Sequence, residues 1–207
     1  MPFGSQIVTR IDEQTFAVLT LGGISRENPV PIESLIVLNP TASDTVLTVP
    51  SADILFRGPT ANSALSTALC RLAYFAVGAD GELWITSGAE GTLTEWRFEN
   101  GVAEPGRSVG LAPEGIPLPD STRTRILGMV PRQLSPETGD LSLPPVLSSI
   151  CGIERSTDQT IWVRLADVGG RERWIAVDLE TLRPTRELTA PEGVEMRAFF
   201  GELGYGI

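Results

Sequence analysis

Three arginines in one proline-rich stretch, Arg123, Arg125 and Arg132, carry the clearest recognition chemistry in the chain. A guanidinium is planar and permanently charged, and it grips a carboxylate or phosphate through two parallel N–H bonds. Held in a long connection between regular segments, these three would bind a small acidic ligand. The competing reading is a solvated linker, or ion pairs with nearby acids. No catalytic residue, no metal ligand and no cofactor is assigned.

Other chemistries are closed by composition. The chain has no histidine, and all 16 of its basic residues are arginine. Without imidazole, a Ser-His-Asp triad, a Cys-His dyad and a His-ligated zinc site are excluded within this chain. Without lysine there is no Schiff base, no lysine general base and no P-loop lysine. Asp80 and Asp158 fall at hairpin turns, where aspartate accepts backbone N–H bonds, so they read as turn residues rather than metal ligands. Glu90, Glu95, Glu99 and Glu104 are spread over strands and turns and form no hard-cation loop. Gly22-Gly23 and Gly169-Gly170 lack the strand–loop–helix setting of a phosphate cradle and read as turns. Cys70 and Cys151 read first as buried, inert thiols, with a disulfide as the alternative in an oxidising compartment.

The 207 residues carry a net charge of −10, and 42% of them are hydrophobic. That supports a real core, while the acidic balance argues against nucleic acid or an anionic lipid surface as partner. No apolar run approaches bilayer-spanning length, and Met1-Pro2-Phe3-Gly4 does not open a signal peptide.

The elements that must position these residues announce themselves through an internal repeat. Trp84 and Trp96 are twelve residues apart, as are Trp162 and Trp174, and the two pairs are offset by seventy-eight residues. Around them the strand pattern predicts two four-stranded meanders, over 71–111 and 148–190, with Asp80-Gly81 and Asn100-Gly101 as hairpin turns. A fainter unit covers 5–50, with Phe16 in the place of Trp84 and Leu35 in that of Trp96. A fourth begins near 195 and runs to 207. The second strands, Leu83-Trp84-Ile85 and Ile161-Trp162-Val163, are apolar on both sides, so both faces of each sheet must be covered. Residues 51–70 and 112–147 are inserted loops, the second with a short helix from Asp120-Ser121 to about Gln133.

These features resemble a bacterial six-bladed β-propeller of the NHL-like and TolB-like kind. The likeness rests on Ala76-Val77-Gly78-Ala79-Asp80-Gly81-Glu82-Leu83-Trp84, Glu95-Trp96-Arg97-Phe98, Ile161-Trp162-Val163 and Arg173-Trp174-Ile175-Ala176-Val177-Asp178. The resemblance implies an all-β propeller, seen here as the C-terminal half of the ring: three blades and the start of a fourth. It implies no catalytic motif. Because three sheets cannot close a ring, Met1 reads as internal. A signal upstream of it would make the protein secreted, periplasmic or envelope-associated.

The function expected from this reading is non-enzymatic binding or scaffolding, with the inserted loops holding a small acidic ligand, a carbohydrate or a protein partner. The alternative is a propeller enzyme of lactonase, lyase or glycan-hydrolase type whose catalytic or metal residues lie largely outside the chain. The inner strands predicted here offer only Glu154 as an acid, which counts against catalysis in this part.

Overall fold

Runs of β-branched and aromatic residues, broken every few positions by Gly, Asp or Asn, leave the backbone little choice but short antiparallel strands. A computed structural model bears this out over residues 4–21, 32–50, 54–57, 62–65, 73–78, 81–87, 90–99, 102–112, 116–117, 120–129, 140–142, 146–156, 158–166, 171–201 and 203–207, which are the residues described. The chain is all-β with one helix among them.

Three four-stranded meanders follow one another. The first is β1 (Gly4–Arg10), β2 (Phe16–Leu21), β3 (Ile32–Leu38) and β4 (Ser43–Pro50). Next come β5 (Ile54–Arg57) and β6 (Asn62–Leu65). The second meander is β7 (Ala73–Val77), β8 (Leu83–Ser87), β9 (Thr92–Glu99) and β10 (Val102–Gly110). After it lie β11 (Ile116–Pro117), α1 (Asp120–Met129), β12 (Asp140–Ser142) and β13 (Val146–Leu147). The third meander is β14 (Ile150–Arg155), β15 (Thr160–Leu165), β16 (Arg173–Asp178) and β17 (Arg183–Thr189), followed by the hairpin β18 (Met196–Phe200) and β19 (Leu203–Gly206).

Turn chemistry closes the hairpins. Asp12 accepts the amides of Gln14 and Thr15 at 2.8 Å each, and Asn39 accepts those of Thr41 and Ala42. Asp178 takes the Thr181 amide and hydroxyl. These are side-chain mimics of a backbone turn, and they explain why Asp and Asn stand there. Gly81 is needed twice over. Its φ is +83°, and a Cβ would meet the Ile11 carbonyl of the first sheet at 3.3 Å.

The sheets stack face to face, and alternation along the strands decides which neighbour each side chain meets. In β8, Leu83 and Ile85 join Ala17, Leu35, Val37 and Val46 of the first sheet. Trp84, one residue over, joins Ile150, Ile153, Ile161, Val163 and Val177 of the third. In β15 the pattern recurs: Ile161 and Val163 face the second sheet, while Trp162 faces the terminal hairpin. Its ring stacks on Phe199 with centroids 4.5 Å apart. Both faces of β8 and β15 are thus covered, as their apolar sequences require. Strand β14 lies beside β7 and beside β18, and β4 lies beside β10, where Asp44 accepts the Ala103 amide at 2.8 Å.

Two of the repeat correspondences do not survive. Leu83 pairs with Trp96, but Ile161 pairs with Val177, and Trp174 lies opposite Arg164. The connection between the second and third strands is three residues longer in the third sheet. An odd shift turns every side chain to the other face. Trp96 therefore packs toward the first sheet, while Trp174 packs toward the terminal hairpin. Likewise Ala17 and Leu19, not Phe16, face the second sheet.

The segments read as separate inserted loops are joined. Strand β12 pairs with β5, giving a three-stranded sheet β12–β5–β6, and β11 pairs with β13. Each strand is too short to hold alone, and mutual pairing satisfies their backbone groups. The helix is described over Asp120–Met129, and the rest of its expected span, to about Gln133, lies outside the described residues.

The reading of the cysteines as inert thiols is also corrected. Cys151 is buried and disulfide-bonded, and no cysteine is free among the described residues. The chain holds one other cysteine, Cys70, outside the described residues. Reduction, or Cys151→Ser, is expected to lower stability by about 2–4 kcal/mol by releasing a long loop in the unfolded chain. Chemical denaturation with and without reductant measures this, and identical curves would refute it. Among the described residues, no helix is long and apolar enough to cross a membrane.

Candidate functional site

On the edge where β7 meets β8 and β9 meets β10, a cleft of about 660 Å³ crosses from the first sheet to the third. Asp12 and Thr15 of the β1–β2 turn form one end. Glu82, Glu95, Arg97, Phe98 and Arg107 of the second sheet form the middle, and Gln159 and Glu180 of two third-sheet turns form the far end.

Its centre is a buried carboxylate held by two arginines. Glu95 shares the face of β9 with Leu93, which puts it in the gap toward the third sheet, and its side chain is 4% exposed. Arg97, two residues on and so on the same face, donates Nε and Nη2 to Glu95 Oε1 at 3.0 and 2.9 Å. Arg107 reaches the other oxygen, Nε to Oε2 at 2.8 Å, and donates Nη1 to the Glu180 carbonyl at 3.1 Å. Strand β10 shifts register between Pro105 and Ser108, and this bulge carries Arg107. Its guanidinium lies 6.0 Å from the centre of the Trp84 ring. Burial pushes the Glu95 carboxyl up, but the hydrogen bonds and charges of Arg107 and Arg97 outweigh it, and the group is held below the usual glutamate range. The two guanidiniums remain 58% and 47% exposed. The site is therefore a fixed pair of donors backed by a carboxylate that is ionised at neutral pH.

A second network ties the third sheet to the terminal hairpin. Arg164 donates to the Cys151 carbonyl and to Glu172 Oε1, the latter at 2.8 Å. Glu172 Oε2 accepts the Trp174 indole N–H at 3.2 Å and the Met196 amide at 2.9 Å. Burial pushes the Glu172 carboxyl up, and these partners bring it below its ordinary range. Its two oxygens are engaged by Arg164 of β15, Trp174 of β16 and the first amide of β18, so it serves the fold.

Arg123 lies exposed on α1. That helix follows the end of β10 at Gly110, which pairs with Thr92 at the opposite edge of the sheet from the cleft. Arg123 is not among the residues that line the cleft. Arg125 is on the same helix, its side chain outside the described residues, as is all of Arg132. Asp158 stands exposed at the β14–β15 turn, and Asp80 is outside the described residues. Glu154 is open to solvent, yet the protein packed around it pushes its carboxyl up, opposed by the Arg164 charge.

In the sequence Glu95 stands only as one of four dispersed acids. The signal was its alternation with Leu93 and Trp96, which puts a charge on a core face. Arg107 gave no such signal, because its position depends on the bulge. No protein-family profile matches the chain, and no curated protein matches it.

Proposed function

We propose that the chain is a section of a β-propeller working as a non-enzymatic binding and scaffolding module, with the Arg97–Arg107 cleft holding the ligand. The propeller reading is supported by three meanders in chain order, each packed on the next, with β7 and β14, the first strands of the second and third, as neighbours. The binding reading is carried by one observation: two half-exposed guanidiniums are pinned on a buried carboxylate inside a cleft shared by three sheets. Glu95 stays ionised and bonded to both arginines, which makes it a poor general acid or base and a good anchor.

The test is a thermal-shift screen of the full chain against neutral sugars, organic acids, phosphate and metal ions. A ligand at about 100 times its Kd stabilises by about 2.7 kcal/mol. The shift should vanish in Arg97→Gln and persist in Arg123→Ala. A shift that survives Arg97→Gln, or none from any class, would refute the assignment.

A further inference from the structure

We infer that the cleft takes a neutral polyhydroxylated ligand, an oligosaccharide of a few units, rather than a compact anion. The inference rests on the cleft being the binding surface, and it follows from how charge and hydrogen-bonding groups are laid out there.

Glu95 neutralises one of the two guanidiniums. What remains is one positive charge facing the carboxylates of Asp12, Glu82 and Glu180 along the same cleft. A carboxylate or phosphate drawn to Arg97 would sit in a field of the wrong sign. A cation drawn to the acids would meet the arginines. A hydroxyl group donates and accepts at once, and therefore uses both sets.

The unused bonding capacity fits the same class. Arg97 directs Nε and Nη2 to Glu95, leaving Nη1 with no protein partner among the described residues. Arg107 directs Nε and Nη1 inward, leaving Nη2 likewise. Asp12 uses one oxygen in its turn and keeps the other. Planar donors and acceptors of this kind bind adjacent hydroxyls in pairs. Phe98, on the opposite face of β9 and half-buried against the first-sheet core, also lines the cleft and offers an apolar edge for the C–H face of a sugar. Because Glu95 fixes both guanidiniums beforehand, little side-chain freedom is lost on binding. A cleft that runs across three sheets suits a chain of residues better than a point ion, and its volume lies within the ordinary range for ligand sites.

The experiment is a screen of the full chain on an array of neutral oligosaccharides. Any that bind are then compared by calorimetry with glucuronate and inorganic phosphate, at about 50 and 500 mM salt. A neutral glycan should bind with an affinity that changes less than about twofold between the two salts, since screening acts on charged partners. Arg97→Gln should weaken it about tenfold or more, the loss of charge-assisted hydrogen bonds. Gln159→Ala, which touches no structural ion pair, should weaken it as well, and the melting temperature of each variant checks its fold. If glucuronate or phosphate binds more tightly, with steep salt dependence and loss in Arg97→Gln, the neutral-ligand inference fails while the cleft stands as the binding surface. If glycans bind undiminished in both variants, the cleft assignment itself fails. If no neutral glycan binds, the inference is overturned.

Discussion

Trp84→Ala lowers stability by about 3–5 kcal/mol, the usual range for emptying a buried aromatic site. For a chain of this size that corresponds to a drop of about 6–20 °C in melting temperature. The reason is position. Trp84 is 0% exposed and sits between the second and third sheets, against Leu93, Ile150, Ile161 and Val177. Neither sheet can move into the space without giving up its packing on its other neighbour, so the cavity stays. Trp84→Phe is expected to cost less than half as much. It keeps an aromatic ring and removes the indole Nε1–H, a buried donor with no hydrogen-bond partner among the described residues. An unsatisfied donor is itself a penalty of about 1–3 kcal/mol, which offsets part of the lost area. Urea denaturation of both variants decides the matter. A Trp84→Ala loss under 1 kcal/mol, or a Phe variant as weak as the Ala variant, would contradict this account of the interface.

Replacing Arg97 and Arg107 together by methionine is expected to cost about 3 kcal/mol at neutral pH and to reverse a pH dependence. The guanidiniums are half exposed, so their own loss means little. The penalty falls on Glu95, which is left charged and buried without a partner. Protonation of Glu95 caps the loss. In the native chain Glu95 is held below its ordinary value, so its contribution is full above the unfolded pKa and is lost as pH falls through the folded one. In the variant, burial acts alone and raises the carboxyl. The folded state then binds a proton more readily than the unfolded chain, and stability rises as pH falls from 7 toward 5. Denaturation curves at pH 7, 6 and 5 test the sign. The native chain should show no loss from this residue over that interval. A variant whose stability, relative to its parent, does not rise from pH 7 to 5 would rule out Glu95 as the buried charge.

Much of the β structure was legible because alternation and turn residues are local properties. The meander expected over 148–190 forms as four strands between Ile150 and Thr189, and the helix starts at Asp120. The apolar run on both sides of Trp84 and Trp162 forced the conclusion that their sheets are covered on two faces. The same reasoning went astray where spacing stood in for register. Trp96 and Trp174 match at fixed offset, yet three extra residues in one connection place them on opposite faces.

The cleft was hidden for a related reason. Glu95 and Arg97 are two residues apart on one strand, and their pairing follows from period-2 geometry alone. Arg107, Glu180 and Asp12 come from a bulge and from turns of other sheets, and no local rule relates them. The pairing of β12 with β5 is of the same type, joining segments that the chain separates by a whole sheet.

Composition and pattern by themselves determined an acidic, all-β chain of repeated four-stranded units, with imidazole and lysine chemistry excluded. Which side chains meet across the gaps was decided only by tertiary structure: register, the β10 bulge, the disulfide at Cys151, and the choice of Arg97 and Arg107 over Arg123 as the arginines gathered round a buried acid. Periodicity tells a residue which side of its own strand it occupies. Only the stacking of one sheet on another tells it what it will face.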